Sequence, residues 1–280
     1  MNYVLMMPVL NEQEHVSTAI ESVIRQTVKP TWFFIIDGGS TDKTYEIIST
    51  YAQQYPWIIV NQQTNYHGPP GHKKISCAMV EQYNLMKLVT NNWYPFIGHI
   101  DGDNLLYSNF FENLIKTLES DPKLGVAGGI LHTGGKPEIY PSDELPNIRL
   151  YRKEALDQIG GYPYSRYSWD SVILAKLRLA GWKIKASQNA IVINLREGEL
   201  TRKNLWTTAV SFGKARYYLG YSLLLFLAGT AYATKNNGLT FGMGLMTGYF
   251  GSFGTARTKD EQIFEYYQNR RLKEIMGRKP

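Results

Sequence analysis

Two aspartates separated by one glycine, Asp101-Gly102-Asp103, are the sharpest chemical feature of this chain. They follow the apolar run 94–100, and at a strand end residues i and i+2 face the same way, so both carboxylates can reach a single ion. Gly102 leaves room for a ligand to approach the backbone. A carboxylate pair suits a hard cation, Mg2+ or Mn2+, of the kind that shares its coordination with substrate phosphates. The tripeptide also has a plain structural reading, because Asp-Gly and Gly-Asp-Asn are ordinary turn sequences.

These acids need elements to hold them, and the first half of the chain alternates strands with helices. Residues 3–7 are an apolar run closed by Pro8, expected as a buried parallel strand because they show no alternation. Asn11 with Glu14 three positions on matches a capping box, opening a helix with Val16, Ala19, Ile20, Val23 and Ile24 on one face. Residues 32–36 give the next strand. Ser40 or Thr41 then caps a helix that turns Tyr45, Ile48, Ala52 and Tyr55 inward. Further strands are expected over 57–60, 94–100 and 125–131. Helices carrying Ile75, Ala78, Met79 and Met86, then Phe111, Leu114, Ile115 and Leu118, fall between them.

Such alternation builds an open, mostly parallel sheet flanked by helices, with ligands beyond the carboxyl ends of its strands. Asn11-Glu12, Asp37 and the Asp101–Asp103 pair all stand at such ends, aimed at one crevice. From about residue 132 the pattern changes. A Gly-, Pro- and acid-rich stretch to 147 is expected as a mobile loop. Short helices follow over 152–159, ended by Gly160-Gly161, and 169–180, ended by Gly181.

At 280 residues, 44% hydrophobic and 19% charged, the chain is long enough for one large domain with an appendage and too apolar to be disordered. Its single cysteine, Cys77, excludes an internal disulfide and makes a reducing compartment the default. The first apolar run has no basic leader and stops at Asn11, too short for a signal peptide, so a cytoplasmic location is expected. Residues 1–195 hold 17 Lys/Arg and 18 Asp/Glu, a net of −1, whereas 196–280 hold 13 and 6, a net of +7. That basic tail contains two uncharged apolar runs, 217–233 and 239–253, each short of the ~20 residues that span a bilayer. Lys214, Arg216, Lys235, Arg257 and Lys259 border them, a pattern suited to peripheral contact with the cytoplasmic face of an anionic membrane. The alternative is a helical hairpin packed on the body or on the other copy of a homodimer; nucleic acid is not the expected partner.

The segments Pro8-Val9-Leu10-Asn11-Glu12, Ile36-Asp37-Gly38-Gly39-Ser40-Thr41-Asp42 and Asp101-Gly102-Asp103 occur in an ordered series. Together they resemble the family 2 glycosyltransferases, which have the GT-A fold. The likeness continues through Leu150-Tyr151-Arg152-Lys153-Glu154-Ala155-Leu156, Ile159-Gly160-Gly161-Tyr162, Trp169-Asp170 and Ala180-Gly181-Trp182-Lys183-Ile184. It covers roughly residues 1–200, a nucleotide-sugar-binding catalytic domain by this likeness, and leaves 201–280 as the tail; several ordered motifs are more specific than any one. Asp-x-Asp after an apolar strand also resembles the first motif of haloacid-dehalogenase-type phosphatases. That motif prefers Thr or Val where Leu105 stands, and it sits on a first strand, not a fourth.

The resemblance implies a metal-dependent, inverting transferase that moves a sugar from a nucleotide diphosphate to an acceptor hydroxyl on a glycan or lipid-linked acceptor. Pro8, Asn11 and Glu12 would line the nucleotide pocket, Glu12 near the ribose, and Asp37 would contact the base. Lys73 or Lys74 would face the diphosphate, and Asp101 and Asp103 would hold the divalent cation (Mn2+ or Mg2+) on it. Asp170 would be the general base, although the family's Glu/Asp-Asp pair is here Trp169-Asp170. Asn194-Leu195-Arg196 stands where relatives show a His-x-Arg-like pattern, which leaves Arg196 to pair with phosphate. Tyr162, Tyr164, Tyr167 and Trp169 gather before the base, as aromatics for a sugar ring or for packing. The replaced acid admits a second expectation, a non-catalytic sugar-nucleotide or glycan-binding protein on the same fold.

Overall fold

A computed structural model describes residues 2–63, 74–91, 93–133, 136–137, 145–196 and 202–277. It divides into two compact units, Met1–Glu197 and Gly198–Pro280.

The first unit is organised by its sheet. Strands β1 (Tyr3–Val9), β2 (Trp32–Asp37), β3 (Ile58–Gln62) and β4 (Phe96–His99) lie parallel in the order β3-β2-β1-β4. The apolar sequences of β1, β2 and β4 follow from burial on both faces, whereas β3, at the edge, is only partly buried. Tyr3, Leu5, Met7 and Val9 of β1 share one core with helices α1 (Val16–Ile24), α2 (Thr44–Gln54) and α4 (Phe110–Glu119). Val4 and Met6 enter the opposite core with α3 (Lys74–Val89), α5 (Lys153–Gln158) and α6 (Trp169–Leu179). Pro8 does not end β1. It lies past Met6–His99, the last pairing with β4, where one flank of the strand is already open and a missing N–H is tolerated.

Beyond β4 the sheet becomes mixed. The four-residue strand β8 (Arg149–Arg152) pairs antiparallel with β4 on one side and with β6 (Leu124–Thr133) on the other. Strand β9 (Lys183–Asn194) runs parallel to β6, and β5 (Asn104–Leu106) closes the edge antiparallel to β9; β7 (Lys136–Pro137) pairs with β6. Most of the stretch expected as a loop over 132–147 lies outside the described residues.

Two expected helix caps do not form. Helix α1 begins at Val16 with no side-chain cap, because the Asn11 carboxamide oxygen is used across the chain, accepting from the Thr41 N–H at 2.9 Å. Ser40 and Thr41 likewise do not cap α2. Ser40 donates to Asp37, and Asp42 accepts from the Thr44 N–H at 2.9 Å instead.

The second unit is helical: α7 (Arg202–Leu219), α8 (Leu223–Asn237), α9 (Leu239–Phe250), α10 (Glu261–Glu265), a π-helical turn Tyr266–Arg270 and α11 (Arg271–Gly277). Two glycines in its helices have a packing reason. A Cβ on Gly213 would lie 2.2 Å from the Leu245 carbonyl oxygen, and one on Gly248 2.0 Å from that of Val210, so α7 and α9 meet backbone to backbone. Ala209, Tyr217, Phe226, Ala233, Phe241, Leu245 and Tyr249 form this unit's core. Among the described residues no helix is long and apolar enough to cross a membrane.

Candidate active site

The carboxyl ends of β1, β2 and β4 are joined by side chains. Asn11, at φ 54°, turns the chain out of β1. Its N–H donates to the Ser40 hydroxyl at 2.9 Å, the Glu12 N–H to that of Thr44 at 2.7 Å, and the Gln13 N–H to Asp42 at 3.2 Å. Asp37 is fully buried and accepts from the N–H groups of Gly39 and Ser40, the Ser40 hydroxyl and the Gln62 amide. Its carboxylate therefore shapes the loop after β2. Pro8 pairs with Ile36 on the same side of the sheet.

Asp101 and Asp103 are brought together by a turn, not by strand alternation. Strand β4 ends at His99; the Asn104 N–H returns to the Asp101 carbonyl at 3.3 Å, and the Asn104 side chain accepts from the Asp101 N–H at 3.0 Å. Gly102 is required by a different neighbour from the one expected. A Cβ there would stand 2.9 Å from Val9 Cγ1 and 3.2 Å from Glu12 Cγ, so the end of β1 fills the space reserved for a ligand.

Glu12, expected near a ribose, sits in this acidic cluster. Its carboxylate pairs with Arg196, whose Nε lies 3.1 Å from Asp103 Oδ2. Burial, and after it the Asp101 charge, hold the Asp103 carboxyl above its ordinary value against the pull of Arg196. Burial also raises Glu12; Arg196 lowers it and Asp103 raises it, with a net rise. Asp101 behaves oppositely. Burial pushes it up, but hydrogen bonding with His99 and Asn147 and the charge of Arg149 outweigh that and leave it below its ordinary value.

Three participants were missed in the sequence. Fully buried His99 places Nε2 3.4 Å from Asp101 Oδ1. Asn147 donates to both Asp101 oxygens at 3.3 and 3.4 Å. Arg149, 1% exposed, donates to the main-chain oxygen of Asp170 at 3.1 Å, with Nη2 3.7 Å from its carboxylate. His99 looked like one more position of an apolar strand, and Arg149 gave no signal, because its carboxylate partner, Asp170, lies 21 residues away.

Asp170 stands in the first turn of α6, its side chain about one-third exposed. Trp169 and Tyr162 are packing residues: Trp169 lies edge-on to His99 with ring centres 5.0 Å apart, and Tyr162 lies 5.7 Å from Trp169. Tyr164 is exposed. Lys73 lies outside the described residues, as does the side chain of Lys74, the first residue of α3.

The donor set fits a shared divalent-cation site. It is all oxygen, its carboxyls repel one another, and Glu12 Oε2 is buried without a hydrogen-bond partner. Among the described residues there is no group of three or more His, Cys, Asp or Glu that could hold a metal ion.

A parallel half-sheet with acids at its strand ends, a mixed half beyond β4 and a further acid opening α6 are the features of a GT-A-type protein. The description "Glycosyl transferase family 2" matches residues 4–169, more than half of the sequence, and the chain belongs to that family. It is 28% identical over 145 residues to the uncharacterized glycosyltransferase YibD of Escherichia coli (strain K12), covering 50% of this chain and 38% of that protein. It is 25% identical over 158 residues to the poly(ribitol-phosphate) beta-glucosyltransferase of Bacillus spizizenii, covering 56% of this chain and 24% of that protein. The chain thus spans well under half the length of these relatives. Among solved structures, S. aureus TarS 1-349 shares the fold at a TM-score of 0.56 and 15% identity, over 98% of this chain and 83% of that one. The mannosyltransferase PcManGT of Pyrobaculum calidifontis, in complex with GDP-Man and Mn2+, does so at 0.60 and 14%, over 99% and 88%.

Proposed function

We propose that this chain is a nucleotide-sugar-dependent, inverting glycosyltransferase acting on a glycan or lipid-linked hydroxyl. The observation that carries the reading is the pairing of two carboxylate groups of different character around one segment. Asp101, Asp103 and Glu12 form a compressed acidic cluster with Arg196, and Asp170 stands apart against Arg149. A divalent cation held by Asp101 and Asp103 would stabilise the charge that develops on the departing diphosphate. Arg196 turns its guanidinium from the carboxylates toward phosphate oxygens, which it matches in geometry. Asp170 accepts the proton of the acceptor hydroxyl as that oxygen attacks the anomeric carbon in line, and a single displacement inverts the centre. The TarS complexes with UDP and UDP-GlcNAc, and the GDP-Man and Mn2+ in PcManGT, support a nucleotide-sugar donor and a cation here.

The non-catalytic alternative rests on Trp169 in place of an acid. That side chain fills core space against His99 and Tyr162 and leaves the Asp170 carboxylate accessible, which favours catalysis. A thermal-shift panel of UDP-, GDP- and dTDP-sugars with Mn2+ tests the reading. A donor at 100 times its dissociation constant stabilises the native state by about 2.7 kcal/mol, roughly 5–10 °C for a unit of this size. No shift from any of them with Mn2+ overturns it.

The second unit fits attachment to an anionic membrane face. Leu223, Leu224, Leu227 and Tyr232 are exposed on α8, and Leu239, Met243, Phe250 and Phe253 are exposed on and after α9. Between Glu199 and Asp260 the sequence has seven basic residues and no acidic one. The chain should co-sediment with phosphatidylserine vesicles, less so at high salt. A monodisperse dimer that ignores the vesicles contradicts this part.

A further inference from the structure

Residues 145–149 lead into β8 and carry two side chains that the assignments above leave without a role. Asn147 donates its amide to both oxygens of Asp101 at 3.3 and 3.4 Å, with His99 Nε2 3.1 Å from the same nitrogen. Two residues later Arg149 reaches the other carboxylate. Its Nη1 donates to the Asp170 main-chain oxygen at 3.1 Å, and Nη2 lies 3.7 Å from Asp170 Oδ2.

The remaining guanidinium donors are anchored in the segment itself. Nε donates to the Pro146 carbonyl at 2.6 Å and Nη2 to that of Leu145 at 2.7 Å. Because the guanidinium is planar, these two bonds orient the fork that Asp170 meets. An arginine 1% exposed beside Tyr151 and Tyr162 is costly unless its charge is used, and the only carboxylate within ion-pair distance of it is Asp170 among the described residues.

We infer that residues 145–149 are a positioning element tying the diphosphate side of the site to the base, Asn147 acting through Asp101 and Arg149 through Asp170. The inference rests on the reading of Asp170 as base and Asp101 as a cation-holding residue. In-line displacement requires the attacking oxygen and the leaving diphosphate to be held at a fixed separation, and placement errors of about 1 Å can cost 100-fold in rate. With both carboxylates clamped by side chains two residues apart, that separation is set by one short stretch of backbone.

The test uses the full chain and the nucleotide sugar selected by the thermal-shift panel. Asn147→Ala should weaken Mn2+-dependent binding of the corresponding nucleoside diphosphate about 10-fold by calorimetry. Arg149→Lys should leave that affinity within 2-fold and KM near the parent value while kcat falls at least ~10-fold. In an Asp170→Asn background, Arg149→Lys should lower kcat no further, because it acts through the carboxylate already removed. A merely structural arginine would slow Asp170→Asn and the parent by the same factor, and that outcome overturns the inference. If Arg149→Lys does not fold, unchanged diphosphate affinity in Asn147→Ala overturns it independently. Parent-like turnover of Asp170→Asn alone, or a panel that selects no donor, instead overturns the function proposed above and this inference with it.

Discussion

Gly102→Ala is the substitution whose consequence the structure sets most directly. The added Cβ would meet Val9 Cγ1 at 2.9 Å and Glu12 Cγ at 3.2 Å, against the 3.5–4.0 Å at which carbon atoms make optimal contact. The shortfall is roughly 0.6 Å or more on one side and roughly 0.3 Å or more on the other. Val9 cannot yield easily: it is 4% exposed, β-branched, and paired with Asp37 in the β1–β2 ladder. Glu12 can move only by loosening its ion pair with Arg196. Overpacking of this size costs about 1–3 kcal/mol, a fall in melting temperature of roughly 2–12 °C for a unit of this length. The assay is thermal and urea unfolding of parent and variant, with Mn2+–nucleotide affinity measured on the same samples. A variant within ~0.5 kcal/mol of the parent, the range of an ordinary surface change, refutes the argument that β1 and the Asp101–Asp103 turn are in close contact.

Asp103→Asn should abolish Mn2+-dependent nucleotide binding yet melt higher than the parent at pH 7. Its carboxyl is raised in the fold, so the stability it contributes is full below its unfolded value and lost as pH rises through its folded one. The gap should close as pH falls through the carboxylate range, and a variant that melts lower at pH 7 contradicts the assignment. Asp170→Asn should retain donor affinity by calorimetry and transfer sugar at least ~100-fold more slowly; near-parent transfer makes it a helix-terminal residue only. Asn11→Ala should cost about 1–3 kcal/mol in unfolding experiments, from a lost acceptor for Thr41 and a left-handed backbone that alanine resists. Asn11→Gly should recover the backbone share, and equal losses in both variants would remove backbone strain from the explanation.

Much of this architecture was legible because parallel strands buried on both faces leave uninterrupted apolar runs, as in β1, β2 and β4. Short β8 was not. Its sequence Arg149-Leu150-Tyr151-Arg152 has charged ends that find their partners only in the folded sheet, Arg149 at Asp170 and Arg152 at the carbonyls of Leu118 and Leu124. Asn11 and Glu14 have the spacing of a capping box, but a hydrogen bond to Thr41, 30 residues away, claims the asparagine first. The acids at the strand ends were visible as residue types, whereas their arrangement depends on a turn, a buried histidine and an arginine counterion that spacing does not encode.

The most direct test of the central claim is time-resolved proton NMR of the slow hydrolysis of the donor that the thermal-shift panel selects, with Mn2+ present. For an α-linked nucleotide sugar, the account predicts that the first released anomer is β, that chelation with EDTA stops the reaction, and that Asp103→Asn abolishes it. Release of the α anomer first, or turnover indifferent to chelation and to Asp103, would contradict it.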